Sequence, residues 1–194
     1  MKADITKALV EEHRLILRMI TLLERNAHRT AAGDYTNWQF YLDGVDFIRT
    51  YADRFHHAKE EDVLFAALVK NGMPRENSPV AAMLMEHDQG RAYVRGMETA
   101  VREMLEGLPG RESAIAENAL AYAALLRDHI SKEDDILYPL AERVIPEAMR
   151  GEIVYGYHRA EIQADAGFGE HYRKLVEAYE QEEQAAEIGT MCPP

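Results

Sequence analysis

The sequence predicts an all-α protein, an up-and-down antiparallel four-helix bundle with additional C-terminal helices. Three observations support this fold class. The composition is rich in residues that favour helices, and no stretch alternates β-branched residues as a strand would. Apolar residues recur at helical spacing in four long segments. Turns containing glycine or proline separate those segments. We expect residues 1–145 to form the bundle and residues 146–194 to pack on it as a helical extension.

Six helices are expected, each bounded by turn or capping residues. The third begins at Ser78-Pro79, an N-cap followed by proline at the first helical position. The second stops at Gly72, which suits a helix C-cap. Pro139 lies inside the fourth and predicts a bend or a tightened turn there. The last residues of the chain should fray. The predicted helices span about residues 4–27, 37–69, 78–106, 112–144, 146–164 and 169–186.

Charge and composition exclude several classes of function. A formal net charge of -12 argues against binding nucleic acid or an anionic membrane surface, since both need a basic face. No apolar run approaches the length of a membrane span. The single cysteine, Cys192, cannot form an internal disulfide, and the N-terminal stretch lacks the apolar segment of a secretory signal. We therefore expect a cytoplasmic protein, of an oligomeric state that the sequence leaves open.

A motif in the fourth predicted helix has a near copy in the second. The two stretches are His56-His-Ala-Lys-Glu60-Glu-Asp-Val-Leu-Phe65 and His129-Ile-Ser-Lys-Glu133-Asp-Asp-Ile-Leu-Tyr138. A shift of 73 positions, from His56 to His129, superposes the histidine, the lysine and the glutamate, followed by an aliphatic, leucine, aromatic triplet. In each copy the histidine and the glutamate are four residues apart, which places both on one helix face.

Two further histidines, His13 and His87, lie on the buried faces of the first and third predicted helices. Residues at one level of such a bundle lie symmetrically about each turn, because every residue adds about 1.5 Å along its helix. The midpoints between successive histidines fall at residues 33–35, 71–72 and 108, all in predicted turns. The spacing predicts a site for two metal ions, with His13, His56, His87 and His129 as terminal ligands and Glu60 and Glu133 as bridges.

The sequence offers two alternatives to this ligand set. His57 and Glu61 have the same spacing, but they break the superposition of the two motifs and face away from the apolar stripe. We expect them on the surface or hydrogen-bonded to a ligand. In a bundle without metal, Arg91 could instead pair with one of the two glutamates.

The remaining candidates carry weaker signals. His28, His158 and His171 fall outside the symmetric pattern, so structural or exposed positions are expected for them. Tyr122, two turns before His129, could border the metal pocket or simply pack in the core. Gly90, beside His87, leaves space either for a small ligand or for close helix packing. Imidazole and carboxylate ligands without thiolate suit iron, manganese or zinc.

The motif set resembles the hemerythrin-like family, also called the HHE cation-binding domain. The resemblance covers about residues 5–144 and rests on His13, His56-x-x-x-Glu60, His87 and His129-x-x-x-Glu133. The segment at residues 156–180 is similar to a C-terminal extension that some members carry. Membership implies a non-haem centre of two Fe ions with an oxo or hydroxo bridge.

The resemblance also implies a function. It predicts that the protein binds or reacts with O2, NO or H2O2 in redox or nitrosative stress or in iron homeostasis. The alternative is a non-catalytic iron-binding or oxygen- and redox-sensing module. Oxygen-carrying members have a fifth histidine one turn from the third-helix ligand, where this chain has Met83 or Arg91. This difference favours the redox-sensing, nitric-oxide-response and iron-sulfur-repair members over the oxygen carriers. No catalytic residue and no organic cofactor are predicted.

Overall fold

The computed structural model describes residues 3–165 and 167–191, of which residue 163 and residues 187–191 are described by their backbone alone. Cys192 lies outside the described residues. Within them the chain forms six helices and no strand, which confirms the predicted fold class. The last helix continues past residue 186, where it was expected to end. The helices are α1 Lys7–Ala31, α2 residues 38–70, α3 Pro79–Leu105, α4 residues 112–144, α5 Glu147–Gln163 and α6 Phe168–Met191.

The first four helices form the bundle. Helix α1 packs against α2 and α4, and α3 also packs against α2 and α4, so sequence neighbours are spatial neighbours. Short turns reverse the chain between them. At the second turn Gly72 has a φ of 98°, a left-handed conformation that glycine adopts without strain. The side chain of Ser78 then accepts a hydrogen bond from the N–H of Ala81 at 3.3 Å and caps α3 as predicted.

Helices α2 and α4 contain wider, π-helical turns. In α2 these are Ile48–His57 and Glu60–Phe65, and in α4 the stretch is Glu133–Leu137. The tightened turn, one of the two outcomes expected near Pro139, is therefore wrong, because the turn before it widens instead. The α-helix restarts at Tyr138, which places Pro139 in a first turn, where its missing N–H costs no helical hydrogen bond. Such turns often mark functional sites.

Two apolar clusters fill the bundle. The larger cluster occupies the end with the α1–α2 and α3–α4 turns and includes Met19, Phe40 and Met97. The smaller cluster occupies the opposite end and includes Leu9, Leu64 and other buried residues. Five of the six predicted ligands lie between the two clusters along their helices, and His129 lies beside Ile130, the last residue that this helix contributes to the larger cluster. The bundle therefore has a polar layer enclosed by apolar material on both sides.

The C-terminal helices pack on the bundle from the side of α1 and α2. Helix α5 contacts the Glu60–Phe65 turn, and α6 lies along α1. The approach of α5 is close, since a Cβ at Gly156 would lie 2.9 Å from a methyl group of Val63. The division into a bundle of residues 1–145 and an extension of residues 146–194 stays a prediction. In the described part of the chain, no helix combines the length and the apolar composition needed to cross a bilayer.

Arg150 fixes the start of α5 to the bundle, and its side chain is 1% exposed. Its guanidinium donates to the carbonyl of Ala3 at 2.7 Å and to the carboxylate of Glu142. We expect Arg150→Met to lower the free energy of unfolding by about 3 kcal/mol, because a largely buried ion pair loses one partner. Urea denaturation measures the change. Arg159→Met, at an exposed position of the same helix, is the control, and equal effects of the two substitutions would contradict the assignment.

Candidate metal centre

The structure brings the six predicted ligand side chains together in the polar layer. Each of the four bundle helices contributes one histidine, and α2 and α4 each add a glutamate one turn further along. All six side chains are buried, and the two glutamates are 0% exposed. Burial to this degree is uncommon for a carboxylate unless it is paired or binds a cation.

The four imidazoles form two facing pairs. The Nε2 atoms of His13 and His56 lie 3.0 Å apart, and those of His87 and His129 also lie 3.0 Å apart. The ring planes meet at 59° in the first pair and at 61° in the second. In each pair, therefore, two ring nitrogens converge on one position from different directions.

In each of the four imidazoles the outer nitrogen, Nδ1, contacts a carboxylate from a neighbouring helix. The Nδ1 contacts are His13 with Asp134 at 2.9 Å, His56 with Glu12 at 2.9 Å, His87 with Glu61 at 2.7 Å and His129 with Glu86 at 2.9 Å. The hydrogen bond from His87, together with Arg91, lowers the pKa of Glu61 to about 2. An ionised carboxylate at Nδ1 keeps a proton on that nitrogen and leaves the lone pair at Nε2. Metal-binding histidines have this same arrangement.

Two lone pairs that face each other at 3.0 Å repel unless a proton or a cation lies between them. Burial lowers the pKa of His13, but Asp134 and Glu133 outweigh burial and raise it to about 9. Burial and the neighbouring His13 lower the pKa of His56. Without metal, a proton would therefore reside on one ring of the pair. With metal, both Nε2 atoms are available as ligands.

The two glutamates join the imidazole pairs. Glu133 Oε2 lies 3.4 Å from His13 Nε2, and its Oε1 lies 3.2 Å from His129 Nε2. Glu60 Oε2 lies 3.7 Å from His56 Nε2 and 3.5 Å from His87 Nε2. Each carboxylate therefore approaches one imidazole of each pair, which is the position that a bridging ligand occupies.

Of the four carboxylate oxygens of Glu60 and Glu133, three have no hydrogen-bond partner among the described residues. They are Oε2 of Glu60 and both oxygens of Glu133. Burial and the nearby Glu133 raise the pKa of Glu60 well above its usual value. Burial also opposes ionisation of Glu133, but His129 and His13 outweigh it and hold the pKa of Glu133 low. Leaving such oxygens without a partner costs about 1–3 kcal/mol each, and more when they are charged.

No lysine or arginine in the described ranges forms an ion pair with Glu60 or Glu133. Arg91, the cation that could have neutralised one of them, instead pairs with Asp53 at 2.7 Å and with Glu61 at 2.8 Å. The histidines expected to be structural or exposed, namely His28, His158 and His171, are exposed and lie away from the centre. The positive partners of the two glutamates are therefore imidazoles alone.

Tyr138 is a member of the centre that sequence reasoning missed. Its hydroxyl donates to Oε1 of Glu60, and its ring stacks on His13 with centroids 5.5 Å apart. The signal was present, because Tyr138 is the aromatic residue that ends the repeated motif, but its hydroxyl was not used. Phe65, the matching residue of the other copy, stacks on His87 without a polar group.

Of the two positions expected for His57, on the surface or beside a ligand, the surface position is wrong, because His57 is buried. Its ring stacks on His87 with centroids 3.8 Å apart, and its Nδ1 lies 3.3 Å from Asp53 Oδ1. The Ile48–His57 stretch is π-helical, so the α-helical period from which the faces were assigned does not apply there, and both His56 and His57 are buried. The doublet of histidines was the only sequence signal. Glu61, in contrast, is hydrogen-bonded to a ligand candidate, which was one of its two expected positions.

Two groups of side chains have the geometry of metal sites. In each group, one potential ligand atom per residue lies within 4.8 Å of all the others. The first consists of His13, His56, Glu60 and Glu133, and the second consists of His57, Glu60, His87 and His129. Two nitrogens bound at about 2.1 Å in adjacent positions around one ion lie about 3 Å apart, as the facing Nε2 atoms do. The donor set, the separations and the orphaned carboxylate oxygens all fit metal ions.

Comparisons with known proteins agree with this geometry. The family model described as hemerythrin HHE cation binding domain matches residues 4–141. Uncharacterized proteins of Mycobacterium tuberculosis and Mycobacterium bovis are 22% identical to this chain over 138 residues, which are 71% of the chain and 53% of each relative. The chain thus spans about half the length of these relatives. No solved structure matches it significantly.

Glu60→Gln separates the effect of burial from the effect of metal. In metal-free protein at pH 7 we expect the substitution to raise the free energy of unfolding by about 1 kcal/mol, because a carboxylate that burial disfavours is replaced by a neutral acceptor for Tyr138. In metal-loaded protein it should lower stability instead. Thermal melts with and without a chelator measure both signs, and Glu106→Gln at an exposed site is the control. A loss of stability in both states would contradict the prediction.

Proposed function

The chain belongs to the hemerythrin HHE cation-binding domain family, and from this membership we propose that it is a non-haem di-iron protein. Its proposed role is to bind or react with O2, NO or H2O2 in redox or nitrosative stress or in iron homeostasis. The observation that carries the proposal is the set of three buried carboxylate oxygens that lie between facing imidazole pairs and have no hydrogen-bond partner in the described part of the chain. Metal ions would satisfy all of them at once.

The proposed ligand set extends the predicted one. His13 and His56 would hold one ion, and His87 and His129 would hold the other, with Glu60 and Glu133 shared between them. His57 adds a fifth imidazole beside His87 and His129. The fifth histidine expected on the third helix in oxygen-carrying members is thus replaced by one from α2. Because its ring is stacked on His87, His57 would have to turn before both could bind the same ion.

Nitrogen and oxygen donors without thiolate suit iron, and they also suit manganese or zinc. Iron bound here would supply one-electron redox chemistry and a coordination position for a small exogenous ligand. The protein's part is to orient the imidazoles through the four carboxylates at Nδ1 and to exclude water with the two apolar clusters. The half with His13 and His56 has fewer imidazoles, which favours it as the position for the exogenous ligand.

Tyr138 lies beside that half. Its hydroxyl is 3.4 Å from His13 Nε2 while it donates to Glu60. Burial raises the pKa of Tyr138 well above its usual value, so the phenol keeps its proton. It can therefore hold a proton at the edge of the centre and donate a hydrogen bond either to Glu60 or to a ligand in that half.

A second candidate function, a metal-sensing module, is favoured by one chain of contacts. Lys59 is 0% exposed, and its ammonium lies 2.6 Å from Glu12 and 3.1 Å from Glu161 on α5. Glu12 in turn holds Nδ1 of His56. A cation at Nε2 of His56 makes Nδ1–H a stronger donor to Glu12, which changes the negative charge that Glu12 presents to Lys59. Metal binding would in this way alter the docking of α5.

Metal analysis of protein expressed with iron supplied tests the leading proposal. We expect about two iron ions per chain, and we expect their removal to lower the melting temperature because two buried carboxylates lose their cations. His129→Ala should reduce the metal content by half or more, whereas His171→Ala, an exposed histidine, should leave it unchanged. Absence of bound metal after verified iron loading, or an unchanged melting temperature after verified chelation, would overturn the proposal.

Absorption spectroscopy distinguishes the two candidate functions. Bands of the bound iron that change when peroxide or nitric oxide is added support the reactive centre. Iron that is bound but inert to both supports the sensing module. The measurement uses the iron-loaded full chain, with His129→Ala as the control for bands that do not come from the centre.

Limited proteolysis of α5 tests the sensing module. We expect α5 to be cleaved at different rates in iron-loaded and chelated protein, and we expect Glu161→Gln to remove at least half of that difference by weakening the contact with Lys59. Glu152→Gln, an exposed position on the same helix, is the matched control. Equal cleavage with and without metal in the unsubstituted protein would exclude the sensing role.

A further inference from the structure

A pocket of about 210 Å³ opens beside the half of the centre that holds His57, His87 and His129. These three imidazoles form part of its wall. All lining residues come from α2, α3 and α4. The pocket is therefore on the face of the bundle that the C-terminal helices do not cover.

The pocket is larger than a diatomic molecule or peroxide requires. One water occupies about 30 Å³ of the liquid, so the volume corresponds to roughly seven waters. It is smaller than the pockets of about 300–1,000 Å³ that hold drug-sized ligands. A small organic molecule fits this range.

The walls of the pocket are mostly apolar. They include Ile48, Val94, Leu125 and Leu126. Gly90 keeps the space open, since a Cβ there would lie 3.4 Å from the ring of Tyr122 and a longer side chain would extend into the pocket. Gly90 therefore allows close helix packing and also leaves space in the pocket. An apolar ligand in that space would contact hydrophobic surface.

Tyr122 supplies a buried polar group. The residue is 2% exposed, and its hydroxyl has no hydrogen-bond partner among the described residues. Burial raises the pKa of Tyr122, so the hydroxyl remains protonated and can donate. A buried donor without a partner costs about 1–3 kcal/mol, which an acceptor that reaches the hydroxyl from the pocket would recover.

Arginines surround the mouth of the pocket in a chain of net charge -12. Arg49 and Arg91 are paired with acidic residues. Arg54 and Arg95 are exposed and form no ion pair with any described residue. The acidic lining residues are already engaged, Asp53 with Arg91 and Glu86 with Lys132 and His129. Arg54 and Arg95 therefore place two positive charges without an acidic partner among the described residues at the mouth of the pocket.

We propose that this pocket binds a small organic carboxylate with a short apolar body. The apolar walls contact the body, the Tyr122 hydroxyl donates to the carboxylate, and Arg54 and Arg95 attract the anion. The proposal goes beyond the metal function and does not depend on it, because these three residues are not among the proposed metal ligands. His57 lies in the wall shared by the pocket and the centre, so an occupant would contact the centre through that ring.

Isothermal titration calorimetry with hexanoate tests the proposal, on full-length protein in metal-free and iron-loaded forms of verified metal content. We expect hexanoate to bind both forms, 1-hexanol to bind at least tenfold more weakly and acetate to bind more weakly still. Raising the salt concentration should weaken hexanoate binding, because the attracting charges are exposed. Binding without any bound metal would leave this proposal intact even if the di-iron proposal failed.

Matched variants assign the binding to the pocket. Tyr122→Phe should weaken hexanoate binding about tenfold, the equivalent of a hydrogen bond to a charged group, while Tyr93→Phe should not change it. The double variant Arg54→Gln and Arg95→Gln should weaken it about fivefold. The double variant Arg14→Gln and Arg75→Gln changes the net charge equally at exposed positions elsewhere and should have no effect.

Three results would overturn the proposal. They are no hexanoate binding to either form, equal binding of hexanoate and 1-hexanol, and equal effects of the pocket variants and their controls. Gly90→Leu provides a further check that does not remove a polar group. A correctly folded Gly90→Leu protein, shown by an unchanged circular dichroism spectrum, should lose hexanoate binding because the side chain fills the pocket.

Discussion

Two buried carboxylates enclosed by imidazoles form the constraint on which the rest of this structure depends. A carboxylate in an apolar interior is costly unless charge and hydrogen bonds compensate it. Here the lysines and arginines of the described chain do not reach Glu60 or Glu133, and the apolar clusters above and below exclude water. Exclusion of water strengthens every electrostatic interaction in the layer. The bundle can bury these groups at a tolerable cost only if a cation or a shared proton is present.

The carboxylates at the outer nitrogens link the four helices into a closed ring. Each one extends from one helix to the histidine of the next, and the last returns to the first. The contacts are Glu12 of α1 with His56 of α2, Glu61 of α2 with His87 of α3, Glu86 of α3 with His129 of α4, and Asp134 of α4 with His13 of α1. The ring orients the inner nitrogens and joins all neighbouring helices at one level. The stability of the layer and the geometry of the centre therefore have the same origin.

Sequence reasoning could place the six central side chains because two regularities fix them. Apolar periodicity identifies the buried face of each helix, and symmetry about each turn fixes the level. Both regularities assume an α-helical repeat. They do not hold where the repeat widens, as at Ile48–His57, where His57 is buried although both regularities place it outside the centre. The contacts of Lys59 with α5 could not be predicted either, since nothing in the sequence indicates how the extension is oriented on the bundle.

The departures from internal symmetry determine what the centre can do. A perfectly repeated bundle would offer two equal positions, whereas the two halves of this centre differ. The first half has Tyr138 where the second has Phe65, and the second has His57 where the repeat would place Ile130. Lys59 is buried beneath α5, but its counterpart Lys132 is 40% exposed. The extension thus covers one half while the other half borders a pocket.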